Sequence, residues 1–221
     1  RIERAVRASG LPLEKTLKSF ERKRLPRKVD AHVNVLLEGT FLDRCENILA
    51  FGQPGCGKTH LLCAIGQELV YQDRRVLFRR CDVLVQELLA AKRDLELPRK
   101  LKQLSRFDAL IIDDIGYVQQ DRDEMEVLFN LLAHRYERGS VMITSNLPFS
   151  QWEQIFKDPM TTVAAIDRLR QVFALRGEHL SRHQRIEVEH AGDEGHADGR
   201  MRSGRDRVRW EVNEQLAIAD D

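Results

Sequence analysis

No run of this sequence approaches the ~20 consecutive apolar residues of a membrane-spanning helix, and no signal-peptide pattern opens it. Cysteine is scarce. Cys45, Cys56, Cys63 and Cys81 form no C-x-x-C pair and no metal-ligand spacing with histidine, which excludes a disulfide scaffold and a zinc module. Four scattered thiols read as reduced residues of a cytoplasmic protein. A large excess of one charge is also lacking, the formal net charge being +1 over 221 residues. Methionine is missing from the first position, where Arg1 stands, so the N-terminal region is expected to be truncated. What remains is ordinary globular material: 42% hydrophobic residues can build a real core.

The near-neutral charge hides an asymmetry. Residues 1–28 hold ten Lys/Arg against three Glu, and residues 92–106 hold six against two acids. Such clusters attract phosphate backbones, although a solvated helix face has the same composition. Residues 1–46 read as a basic, mostly helical leader in which Leu13, Leu17 and Phe20 recur at helical spacing before Pro26 interrupts. Strands are expected at Asn47–Phe51, Arg75–Phe78, Ala109–Ile112 and Val141–Thr144. Between them, Asp82 is placed to cap a helix carrying Leu84, Leu88, Ala91 and Leu95. Asp121 and Glu124 form a capping box ahead of a helix whose buried face is Met125, Leu128, Phe129, Leu132 and Tyr136, with Gly139 marking its end. Alternating strands and helices imply an α/β fold with a parallel sheet covered on both faces.

Within that pattern lies Gly52-Gln53-Pro54-Gly55-Cys56-Gly57-Lys58-Thr59, followed by His60. It is a complete G-x-x-x-x-G-K-[ST] phosphate loop, whose fixed positions match by chance in about one chain in a hundred of this length. The glycines let successive N–H groups turn inward around phosphate, and the following helix adds its positive end. Lys58 then reaches the outer phosphates of ATP and the Thr59 hydroxyl ligates Mg2+. Cys56, beside Lys58 and a helix N-terminus, is expected to have a lowered pKa and to make nucleotide binding thiol-sensitive.

The apolar run Ala109–Ile112 leads into Asp113-Asp114, the acidic end of a Walker B strand. Asp113 is expected to hold magnesium and Asp114 to polarise the attacking water. Asn146 follows the next strand, where a polar group orients that water, though a turn residue before Pro148 is its plainer role. Arg168 is a candidate arginine finger for a neighbouring subunit's ATP. Phosphate loop, acidic pair and Asn146 all fall at carboxyl ends of strands, where ligands bind in such sheets.

Four stretches, NILAFGQPGCGKTHLL (47–62), FDALIIDDIGYV (107–118), RYERGSVMITSNL (135–147) and FKDPMTTVAAIDRL (156–169), resemble the IstB-like transposition helper ATPases, AAA+ relatives of the helicase loader DnaC. The resemblance runs from about Thr16 to Leu169. It implies an AAA+ P-loop core over residues 47–175 with a five-stranded parallel sheet of order 5-1-4-3-2, flanked by helices. It also implies ATP-dependent self-assembly into a homo-oligomer on double-stranded target DNA, and assistance to a partner transposase of an insertion sequence. By the same resemblance Asn146 takes the sensor-1 position and Arg168 the arginine-finger position.

Two departures stand out. Asp114 occupies a position where many AAA+ proteins have Glu. After Leu169 the family pattern gives way: residues 176–221 carry eight Arg, no Lys and five of the thirteen Gly. Val172–Leu175 supplies at most a shortened fifth strand. The remainder is expected to be a disordered or aberrant tail, out of register with the family gene from about Arg170. Three other readings compete: a DnaC-like loader of a replicative helicase, an inactive remnant of a mobile element, and a P-loop small-molecule kinase. The Asp113-Asp114/Asn146 set is that of a water-activating ATPase and disfavours the kinase.

Overall fold

A computed structural model describes residues 2–25, 27–116, 121–147, 151–152, 160, 163–165, 169, 172–179 and 208–213. Its centre is β1 (Asn47–Gly52), fully apolar after Asn47 and buried over residues 47–51. Flanking strands β2 (Val76–Arg80), β3 (Ala109–Ile115), β4 (Ser140–Ser145) and β5 (Val172–His179) complete a parallel sheet of order β2-β3-β4-β1-β5, the 5-1-4-3-2 order expected. A sixth strand, β6 (Val208–Asn213), pairs antiparallel with β5 at the far edge. Both outer strands enter territory where the sequence shows no sustained pattern. β5 pairs along the whole of β1, from Asn47↔Val172 to Gly52↔Gly177, rather than ending at Leu175. The Val208, Trp210, Val212 alternation is a period-two signal too short to stand out. The rest of the 176–221 stretch lies outside the described residues.

Period-two alternation sorts the strand side chains onto two faces. Leu49, Leu110, Ile112, Val141 and Ile143 pack under α5 (Cys81–Arg93), α6 (Leu97–Leu104) and α7 (Arg122–Arg135). Ile48, Ala50, Ala109, Ile111 and Met142 pack under α4 (Lys58–Tyr71), α2 (Arg27–Leu37) and α3 (Thr40–Asp43). The Asp121/Glu124 capping box forms as expected. Other boundaries move. α5 starts at Cys81 and its N-cap is Arg80, so Asp82 sits in the first turn rather than at the cap. Leu95 lies beyond α5, left-handed at φ 59° and exposed, and Tyr136 is half-exposed at the end of α7. Gly139 packs against the Arg135 guanidinium in the turn that follows that helix.

The leader departs most from its expected form. After α1 (Ile2–Ala8), residues 9–21 are not helical. Pro12 lacks an N–H for helix bonding, and Thr16 and Ser19 close a local hydrogen-bonded turn on themselves. This segment lies across α4: Leu11 is buried, and a Cβ at Gly66 would stand 2.8 Å from Ile111 and 3.3 Å from Leu11. Phe78 N–H donates to Ser9 O at 2.7 Å, fastening the leader to the sheet edge at β2. The leader is part of the domain rather than an appendage. Among the described residues no helix is long and apolar enough to cross a membrane.

Candidate nucleotide site

The loop between β1 and α4 places Gly52, Gly55 and Gly57 at φ 143°, 81° and 93°, values that only glycine adopts without strain. Gly57 is the N-cap of α4 and has no side chain to cap with, so the first-turn N–H groups are left for an anion. Lys58 is 6% exposed, and its ammonium donates to the carbonyls of Gly52 at 2.7 Å and Gln53 at 2.9 Å. The lysine is thus folded back along its own loop, within reach of where phosphates would lie.

Thr59 brings the loop to the acidic strand: its hydroxyl donates to Asp113 Oδ1 at 2.7 Å. Thr144, on β4, donates to the same oxygen at 2.7 Å, and its Oγ1 accepts the Asp114 N–H at 2.8 Å. Sequence reasoning missed Thr144; its position one residue before Ser145-Asn146 was the available signal. β3 shifts register against β4 between Ile112 and Ile115, and Asp114 within that bulge is left-handed at φ 61°. The bulge turns Asp114 out of the sheet, so it is exposed while Asp113 is buried. Although the residue reaches solvent, partial desolvation of its carboxyl against the cavity wall, and then the charge of Asp113, raise it above the ordinary range, with Lys58 opposing.

Pro54, Gly55, Gly57, Lys58, Thr59 and His60 line a cavity of about 310 Å³, with Lys15, Asp114 and Asn146 completing its wall. A second cavity, about 760 Å³, lies beside it and shares Lys15 and Asp114. The sequence-predicted residues Lys58, Thr59, Asp113, Asp114 and Asn146 are therefore brought together. Arg168 lies outside the described residues. Lys15 enters unannounced, having counted in the sequence only toward leader charge. Cys56 departs from expectation: it is 4% exposed, and burial raises its pKa, outweighing the lowering by Lys58. A low-pKa, thiol-sensitive Cys56 is therefore not supported.

The donor set suits a magnesium ion accompanying a nucleotide. Hydroxyl and carboxylate oxygens of Thr59 and Asp113 already meet, and hard cations of this kind take one or two carboxylates plus substrate phosphates. Among the described residues no group of three or more His, Cys, Asp or Glu is clustered to hold an ion alone.

Comparison with known proteins decides the family. The sequence model of the IstB-like ATP binding protein family matches residues 1–187. The chain belongs to the IstB-like ATP-binding family. This match runs past Arg170, so departure from the family pattern begins later than the sequence alone suggested, and β5 lies within the matched span. Among relatives, an insertion-sequence ATP-binding protein of Sinorhizobium fredii is 47% identical over 170 residues, 76% of this chain and 57% of that protein. The ATP-binding protein of insertion sequence IS21 from Pseudomonas aeruginosa is 40% identical over 169 residues, 76% of this chain and 63% of its own length. The chain thus aligns with less than two thirds of either relative. The crystal structure of the DnaC helicase loader superposes with a TM-score of 0.60 at 17% identity, covering 73% of this chain and 97% of that one. That likeness supports the AAA+ P-loop fold of this IstB-like chain.

Proposed function

We propose that this IstB-like protein hydrolyses ATP with magnesium, and that it does so as a cytoplasmic, DNA-associated helper of an insertion-sequence transposase. The observation that carries the catalytic part is the convergence of the Thr59 and Thr144 hydroxyls on one oxygen of Asp113, beside Asp114 and Lys58. Thr59 and Asp113 would hold magnesium, which when bound neutralises charge on the outer phosphates. Lys58 would leave its carbonyl partners for the β- and γ-phosphates. Asp114, turned out by the bulge, accepts the proton of a water attacking the γ-phosphorus as the bond to the β–γ bridging oxygen breaks. Asn146 orients that water. Arg168 is proposed to act on a neighbouring subunit's ATP in a homo-oligomer.

The insertion-sequence names of the relatives support the transposition role, and the basic leader supports contact with double-stranded DNA. Of the second basic cluster, Lys92 and Lys100 bridge to Asp123, Glu126 and Glu87, and Arg99 pairs with Glu96. Half of that cluster is therefore paired with carboxylates, Lys92 and Lys100 between helices, while Arg93, Lys102 and Arg106 face solvent. A DnaC-like loader remains the second reading, favoured only by the shared fold.

Nucleotide titration and phosphate release on variants test the site. Lys58→Ala should weaken ATP binding at least about tenfold, since a hydrogen bond to a charged group is worth about 1.5–3 kcal/mol. Asp114→Asn should retain ATP and slow turnover by about 10²–10⁴-fold. Unchanged ATP affinity in Lys58→Ala would refute the assignment.

A further inference from the structure

Lys15 belongs to the leader, far in sequence from the phosphate loop, yet it lines both cavities together with Asp114. Its backbone is held there by the helix that the loop opens. Gln67 Nε2, on α4, donates to Pro12 O at 2.7 Å and to Lys15 O at 3.2 Å. One turn before the middle of the same helix, His60 Nε2 lies 3.1 Å from Thr16 O and 3.1 Å from Ser19 Oγ. Phe20 meets the His60 ring edge-on at 5.2 Å. Leu11 seats against Gly66 on the preceding side. The segment from Leu11 to Phe20 is thus registered on α4 at several points, and Lys15 cannot drift along it without breaking them.

Among the described residues the Lys15 ammonium has no hydrogen-bond partner. Nor, among them, does it make an ion pair, whereas the part-buried Arg22 of the same leader is tied to Asp30. Its electrostatic neighbours are Asp114 and the Cys63 thiol, both of which it pulls toward the charged form. A cation facing Asp114 is at the end of the cavity where a terminal phosphate and its attacking water would meet, rather than at the base end of a nucleotide.

We propose that Lys15 is a second phosphate-contacting cation, supplied by the leader, which engages the γ-phosphate of ATP and so distinguishes ATP from ADP. The inference rests on the ATP-site reading above and adds a residue to it. An ammonium gains most from the added negative charge of a third phosphate, and charge-assisted contacts of this kind are the strong ones. ADP, which ends before that position, gains little. Because Lys15 is carried by the same segment that bears the basic cluster, nucleotide state and leader position are linked through one side chain.

Calorimetric titration of the whole chain with ATPγS and with ADP, both in magnesium, tests this without relying on turnover. Lys15→Gln should lose about tenfold in ATPγS affinity while ADP affinity stays within about twofold, and Lys15→Arg should recover most of the loss. Lys15→Met, which keeps the apolar stem, serves if the Gln variant fails to fold, and retained ADP binding certifies the fold of either. Equal losses for both nucleotides, or no loss for either, would overturn the proposal. Lys58→Ala separates the two levels. If wild type binds both nucleotides and Lys58→Ala loses both, while Lys15→Gln leaves their ratio unchanged, Lys15 alone is refuted. A wild-type chain that binds neither nucleotide overturns the site and Lys15 together.

Discussion

At the residue scale, burial decides what the buried thiols do. Cys56 has the neighbours of a reactive cysteine, an ammonium and a helix N-terminus, but it is packed in the loop and desolvation prevails. Cys63 lies deeper in α4, and burial pushes its thiol from 9.0 up to about 12. An acid whose folded pKa exceeds its unfolded value contributes stability that is complete below the unfolded value, here 9.0, and is lost as pH rises from there toward about 12. The slope is at most about 1.4 kcal/mol per pH unit per thiol. Urea unfolding at pH 8 and pH 10 should therefore show lower stability at the higher pH, and Cys63→Ala should flatten part of that slope. An unaltered slope in the variant would show that other groups cause it. Asp114 carries the opposite lesson: its raised carboxyl is held in a left-handed bulge by one N–H to Thr144, a cost in stability that sets the group beside the phosphate cavity.

At the element scale, α7 is locked to the sheet by one cation. The Arg135 guanidinium donates to Leu104 O, Phe107 O, Asp108 O and Ser140 O, joining the ends of α6, β3 and β4. Burial lowers its pKa to about 10, so it stays charged at neutral pH. Arg135→Met should destabilise by roughly 3 kcal/mol or more, because those carbonyls would be left without their donor. A denaturant midpoint that barely moves would contradict this. No pattern in the sequence distinguishes Arg135 from the solvated arginines around it. Elements whose chemistry is local were legible: the phosphate loop, the apolar strands ending in Asp113 and Asn146, and the Asp121/Glu124 cap each declare themselves within a few residues. What was hidden depends on distant partners. Residues 9–21 look helical by spacing, but their path is set by Gln67, His60 and Phe78, and Lys15 becomes visible as a site residue only once that path is known. Thr144 and the bulge at Asp114 likewise arise from pairing between β3 and β4.

At the scale of the whole molecule, the leader combines core, cavity wall and basic surface. Val6, Leu11 and Leu25 are buried in the cluster beneath α4, so removing residues 1–28 to test DNA binding would also open the core. Charge is the cleaner variable. Arg4, Arg7, Lys18 and Lys23 are exposed, and their joint replacement by Gln should weaken duplex DNA binding without strong sequence preference. The slope of log affinity against log salt should fall by up to about 4. Retained affinity and slope in a folded quadruple variant would show that the leader does not contact DNA. The sheet order has one further consequence, for synthesis. β1 is made early but lies between β4 and β5, the two strands it pairs with, both of which come much later in the chain. At about 5–20 residues per second the first of these neighbours follows on the order of ten seconds after β1 leaves the ribosome's active centre. Throughout that interval the most apolar strand and the phosphate loop attached to it have no sheet to join, so a nascent chain stalled before Ser140 holds the nucleotide motif without the fold that gives it meaning.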